Sequence, residues 1–180
     1  MALLESSAFV EVTASMAAPL RGKKRWAYLK NEKTIRLATT EKDGSIYLSS
    51  LWYVVQKETI YLPIDAGGRH AVNFDEKRSF AALVDSGDEY ATVAGVRIIG
   101  TATKVEDPVL FDTLQNLVFD KYFYEGHPYA EPYFQFGKAV GRQYYSLSPS
   151  KMIGWDCRET AAPQAVESRE LPEFVKDRRI

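Results

Sequence analysis

Residues 90–106 read YATVAGVRIIGTATKVE, a β-patterned run with Gly95 and Gly100 set inside it. Glycine inside a strand marks a bulge or a sharp bend of the kind that closes a sheet into a barrel. The flanking segments supply the other staves. TIRLATT (34–40) reads as a strand, EKDG (41–44) carries an Asp-Gly turn signal, and SIYLSSLWYVV (45–55) reads as the next strand. QKET turns the chain into TIYLPI (59–64), where Pro63 suits a strand end or an edge rather than mid-sheet. SFAALVDS (79–86) precedes the long strand, and KAVGRQYYSLSPS and KMIGWDC supply two late ones.

The strand at 45–55 is apolar on both sides. Ile46, Leu48, Trp52 and Val54 alternate with Tyr47, Leu51, Tyr53 and Val55, so both faces are expected to be covered. A barrel interior covers one face, and a helix or a second subunit covers the other. Helices are few. GKKRWAYLKN (22–31) places Trp26 and Leu29 on one side. Asp107 followed by Pro108 is an N-cap with proline at the first helical position, and Leu110, Leu114 and Leu117 form that helix's apolar stripe. FYEGHPYAEPYFQF (123–136) reads as an aromatic loop. With 180 residues the chain holds one domain with a core. The division expected is an N-terminal extension (1–21), a barrel (22–157) and a polar C-terminal tail (158–180).

Charge and motifs exclude several functions. A net charge of −1 lacks the basic excess of a general nucleic-acid binder. Neither G-x-G-x-x-G nor G-x-x-x-x-G-K-[ST] occurs, and no G-x-S-x-G elbow is present. His70, His127 and Cys157 show no metal-ligand spacing, so no metal site is expected. The first twenty residues lack a basic leader, and no run approaches the roughly 18 apolar residues of a membrane span, so a cytoplasmic protein without a membrane partner is expected.

One string carries chemistry. In LPIDAGGRHAVNF (62–74), Gly67 and Gly68 allow close backbone approach, and a helix starting near Arg69 turns free N–H groups toward an anion. Arg69 can fork onto phosphate oxygens, with His70 and Asn73 as further donors. Read locally, the same string also fits a Gly-Gly turn, an exposed arginine and a capping asparagine.

The order of these elements resembles the pyridoxamine 5′-phosphate oxidase-like split β-barrel superfamily over about residues 25–157. That family commonly carries Ser-Arg-Lys or Gly-Arg-Lys after its third strand. Here the string is Gly68-Arg69-His70-Ala71-Val72-Asn73-Phe74, with histidine in the lysine place. IRLATTEKDGSIYLSSLWYVV, GVRIIGTATKVED and a late strand ending in GWD look like the flavin/deazaflavin oxidoreductase branch. The fold implied is mainly β, a split, FMN-binding-like barrel with short helices packed on it. The resemblance also implies a homodimer that binds coenzyme F420, alternatively FMN, in a groove between subunits. Gly68, Arg69, His70 and Asn73 then lie at the phosphate end, and Ser49, Ser50, Leu51 and Trp52 lie along polyol and ring. Pro63, Ile64 and Asp65 wall the approach.

The activity implied is hydride transfer to an unsaturated or quinone-like small organic acceptor. Pyridoxamine phosphate oxidase chemistry on FMN and non-catalytic tetrapyrrole binding are the alternatives. The catalytic acid is unknown. Arg97 projects from an otherwise apolar strand face and calls for an anionic partner, either the cofactor or a subunit-interface carboxylate. Arg142 carries the same two readings, and His127 lies in the aromatic loop.

Overall fold

The computed structural model describes residues 17–89 and 91–158. In chain order it forms β1 (Ala18–Pro19), α1 (Gly22–Asn31), β2 (Ile35–Thr40), β3 (Ile46–Leu51), β4 (Val54–Gln56) and β5 (Thr59–Ile64). Then follow α2 (Arg69–Asp75), β6 (Phe80–Ser86), β7 (Ala94–Lys104), α3 (Pro108–Tyr122), α4 (Ala130–Ala139) and β8 (Gln143–Asp156). The strands make one sheet in the order β3-β2-β6-β7-β8-β5-β4, with β1 added on β8, and every pairing is antiparallel. This is the mainly-β split barrel implied by the sequence, curled so that β3 and β4 stand at the two ends of the strand order.

The glycines of β7 act as expected. The register between β7 and β8 shifts at Ile99/Gly100, where Gly100 lies opposite Pro149. A Cβ on Gly100 would stand 2.2 Å from the Ser148 carbonyl oxygen, so only glycine lets the strands meet there. Two cores result. Inside the barrel lie Leu37, Leu62, Phe80, Val96 and Ile98, together with Tyr28 and Leu29 of α1. Outside it, α3 and α4 bury Leu114 and Val118 against Val54 and Tyr144. Asp107 caps α3 through its side chain, which accepts from the Val109 N–H, and Pro108 takes the first turn. Among the described residues no helix is long and apolar enough to cross a membrane.

Three expectations need correction. The strand expected over 45–55 breaks at Trp52–Tyr53. The reason is Tyr122 of α3, whose hydroxyl accepts from the Tyr53 N–H at 2.9 Å and lies 2.7 Å from the Tyr53 carbonyl, replacing a strand partner. The second half of the aromatic loop expected at 123–136 instead winds into α4, whose cap residue Val140 is followed by Gly141 in the left-handed region, φ +66°. Beyond it the two late strands are one, β8, because the bulge at Gly100 absorbs Pro149. In the single chain the outer sheet face carries no helix among the described residues, with Ile46 and Leu48 about two-thirds exposed, which leaves a second subunit as the expected cover. Of the expected N-terminal extension, Ala18 and Pro19 pair with β8 and Leu20 is buried. The expected C-terminal tail lies outside the described residues from position 159 onward.

Candidate functional site

β3 ends at Leu51 and β5 ends at Ile64, and between these two strand ends lies a groove of about 400 Å³. β3 lies at one end of the strand order and β5 is next to last at the other, so the groove occupies the split of the barrel. Pro63 fits this place. It pairs with Tyr144 on one side, whereas β4 reaches only from Thr59 to Tyr61 on the other, so no hydrogen bond is lost there.

After β5 the chain turns at Gly67, φ +74°, and Gly68 donates its N–H to the Asp65 carbonyl at 3.0 Å. Gly68 is then the extended N-cap of α2 and makes no side-chain cap bond. The helical period sorts the side chains that follow. His70, Asn73 and Phe74, spaced i, i+3 and i+4, turn inward and are buried, while Arg69 and Val72 face out.

This sorting places the candidate residues. Ser49, Ser50, Leu51, Trp52, Pro63, Ile64, Asp65, Gly68, Arg69 and His70 all line the groove. Asn73 does not. It is 4% exposed and donates to the Thr39 hydroxyl at 2.8 Å, where the sequence expectation had it donating to a phosphate. Arg97 does not either. It stands on the outer face of β7 between Leu83 and Ile153, exposed in the single chain and away from this chain's groove.

His70 departs from expectation in a different way. It lines the groove, yet both ring nitrogens are already engaged, Nδ1 with Thr39 Oγ1 at 2.9 Å and Nε2 with Ser49 Oγ at 2.8 Å. Burial disfavours its charged form and pushes it down to about 4, against the weaker opposing pull of Glu41. It is therefore neutral near pH 7 and carries no charge for an anion. The cationic side chains that line the groove are Arg69 and Arg142. Arg69 is well exposed, pairs with Glu41 and lies over the Tyr47 ring, with Cζ 5.8 Å from the centroid. Arg142 is mostly buried, donates from Nε to Asp65 Oδ1 at 2.7 Å, and stacks on Tyr133 with Cζ 4.3 Å from the centroid.

Trp52 is the groove's flat wall. It stacks on Tyr122 at 4.2 Å with 6° between planes, and Tyr133 and Phe123 pack around it. A second cavity of about 540 Å³ lies between α3, α4 and the start of β8, lined by Phe111, Phe134, Lys138 and Tyr144 among others. Tyr133 and Arg142 line both spaces and so form their common wall.

Three groove residues were not among the assigned candidates. Tyr47 had a readable signal, because it alternates with Ser49 and Leu51 on one strand face. Arg142 was left between two readings and Tyr133 was read as part of a loop. Only the fold brings them beside Asp65.

The donor set suits a flavin-type cofactor. An anionic end fits Arg69 and the open turn at Gly68, a polyol fits the Ser49 hydroxyl, and a planar ring fits Trp52. The Ser50 side chain alternates onto the outer sheet face.

Comparison with known proteins gives the following. The model of the pyridoxamine 5′-phosphate oxidase family matches residues 23–155. No curated protein matches the chain significantly. Among solved structures, the conserved hypothetical protein Rv2991 of Mycobacterium tuberculosis is similar at TM-score 0.69 and 24% identity, over 86% of this chain and 94% of that one. HutZ, the haem storage protein of Vibrio cholerae, is similar at 0.60 and 15%, over 75% and 96%. An FAD-binding protein of Mycobacterium smegmatis is similar at 0.55 and 17%, over 76% and 95%.

Proposed function

Because the chain belongs to the pyridoxamine 5′-phosphate oxidase family, we propose that its groove holds a flavin-type redox cofactor and that the protein is an oxidoreductase. The cofactor proposed is coenzyme F420, with FMN as the second reading, and the acceptor is an unsaturated or quinone-like small organic molecule. One observation carries the reading: the Ser49 hydroxyl of β3, the Trp52 wall and the Gly68-Arg69 turn meet on one groove.

Bound there, a reduced flavin or deazaflavin supplies a hydride to an electron-poor acceptor. The chain's own work is binding and orientation. Arg69 leaves Glu41 to meet the anionic end, which its exposure allows. Trp52, clamped by Tyr122 and Tyr133, offers a plane that does not have to be ordered on binding. Arg142, held by Asp65 and Tyr133, closes the side toward the second cavity. The tetrapyrrole alternative finds no free imidazole in the groove, since both His70 nitrogens are bonded to hydroxyls.

A homodimer belongs to the same proposal. Ile46, Leu48, Ile99 and Ile153 share the uncovered outer sheet face beside the groove, and a second copy laid on that face would bury them. Light scattering on wild type and Leu48→Lys tests it, with a dimer that becomes monomeric as the expected result.

The functional test is titration of the purified protein with FMN and with F420, followed by turnover of the reduced cofactor with menadione. Micromolar binding of one cofactor and menadione-dependent reoxidation are expected. Absence of binding by both sinks the reading.

A further inference from the structure

Four side chains run in line from the barrel interior to the groove. Asn73 Nδ2 reaches Thr39 Oγ1 at 2.8 Å, Thr39 Oγ1 reaches His70 Nδ1 at 2.9 Å, and His70 Nε2 reaches Ser49 Oγ at 2.8 Å. The first three residues are at most 4% exposed, so water does not supply missing partners, while Ser49 is half-buried and lines the groove.

The line has a direction. An amide nitrogen only donates, so Thr39 Oγ1 accepts from Asn73. The single hydrogen of the Thr39 hydroxyl must then find an acceptor, because a buried hydroxyl left without one is costly. His70 Nδ1 is the acceptor in reach. A nitrogen that accepts carries no hydrogen, so in the neutral ring the hydrogen sits on Nε2 and is donated to Ser49 Oγ. Ser49 Oγ is thereby an acceptor toward the protein, and its own hydrogen is left for the groove.

We propose that Asn73, Thr39 and His70 form a one-way hydrogen-bond relay that fixes Ser49 as a donor at the groove wall, so that this position takes an acceptor oxygen of the ligand and turns away a donor. The ligand half rests on the cofactor reading above. The relay itself does not. His70 is a positioning residue in this scheme: it orients Ser49 and gives no bond to the ligand. Phosphate and ring-carbonyl oxygens share the required chemistry, and riboflavin, which lacks the phosphate, separates them.

Two measurements test the relay. Long-range proton–nitrogen NMR of the full chain reads the His70 tautomer, with His127, the other histidine, assigned through a His127→Gln variant. The Nε2–H tautomer at pH 7 is expected, mixed in a Thr39→Val variant. An Nδ1–H tautomer in the wild type overturns the relay, whatever the protein binds. The second measurement is affinity for FMN and riboflavin. Ser49→Ala is expected to weaken FMN about tenfold, and adding Thr39→Val to Ser49→Ala is expected to cause no further loss. A loss seen for FMN alone places the accepted oxygen on the phosphate, and an equal loss for both places it on the ring or polyol. Equal FMN affinity of wild type and Ser49→Ala overturns the donor role. If the wild type binds neither flavin nor F420, the cofactor reading falls and the tautomer alone decides the relay.

Discussion

Arg142 Nε donates to Asp65 Oδ1 at 2.7 Å, joining the start of β8 to the end of β5 across 77 residues of chain. Arg142 is the less exposed partner and also packs its guanidinium on Tyr133, so its position is fixed by more than charge. Removing Arg142 leaves Asp65 without this donor, and Asp65→Asn keeps an acceptor oxygen but removes its charge on the wall between the two cavities. Arg142→Ala and Asp65→Asn are each expected to lower stability by about 1 kcal/mol, and the double variant by less than their sum. Urea denaturation of the four proteins of this cycle measures the coupling, and strict additivity would remove the wall from the account.

Glu41 competes for the arginine that an anionic ligand needs. Its Oε2 pairs with Arg69, while its buried Oε1 has no hydrogen-bond partner. Glu41→Gln removes the competing charge and frees Arg69. Affinity for a phosphate-bearing cofactor is expected to tighten by up to roughly fivefold, the range an exposed ion pair covers. Titration at two salt concentrations checks this, and weaker binding in the variant would contradict it.

Much of the fold is legible in the chain because the strongest signals are local. Asp107-Pro108 starts α3 by capping chemistry alone, and the Gly100 bulge follows from a glycine inside a strand. What local signals miss is set by distant partners. Trp52 and Tyr53 read as strand, but a hydroxyl from Tyr122, 69 residues on, takes over the Tyr53 backbone. At the site, the Gly-Gly-Arg string marks the turn, yet it does not by itself say which donors face out. The helical spacing does. His70 and Asn73 share a face with Phe74, and reading that period through the motif assigns them to the interior and leaves Arg69 outside.

His70 makes acid stability predictable in sign. Its folded form resists protonation down to about 4, whereas an unfolded histidine protonates near its ordinary 6.5. Between these values the unfolded chain binds more protons, so stability is fully present above pH 6.5 and is lost as pH falls toward 4. The loss is on the order of 2–3 kcal/mol. Glu41 favours the proton, Arg69 on the same helix carries like charge nearby, and Tyr47, Thr39 and Ser49 face the ring as neutral groups. The denaturation midpoint of His70→Gln is expected to fall less than that of the wild type between pH 6.5 and 4.5. For the same reason, cofactor affinity is expected to show no His70 titration near 6.5, in contrast to the pattern of a phosphate-binding imidazolium. A clear break in affinity at that pH would restore His70 as a charged ligand.

The hairpin between β4 and β5 carries avoidable strain. Gln56 pairs with Thr59, so Lys57 and Glu58 form a two-residue loop, and both lie in the left-handed region at φ 46° and 59°. That is the geometry of a type I′ turn, which suits the twist of the flanking strands but favours Asn followed by Gly. Side chains with a Cβ and no short polar group meet the following carbonyl there, at a cost of roughly 1 kcal/mol per residue. Glycine returns part of that gain as unfolded-state entropy. The pair Lys57→Asn, Glu58→Gly is therefore expected to stabilise by about 1 kcal/mol net, read as a higher urea midpoint at unchanged slope. The loop lies at the other end of β5 from Pro63 and Ile64, so cofactor affinity should not change. A lower midpoint would show that the two side chains hold the turn through contacts that outweigh its backbone strain.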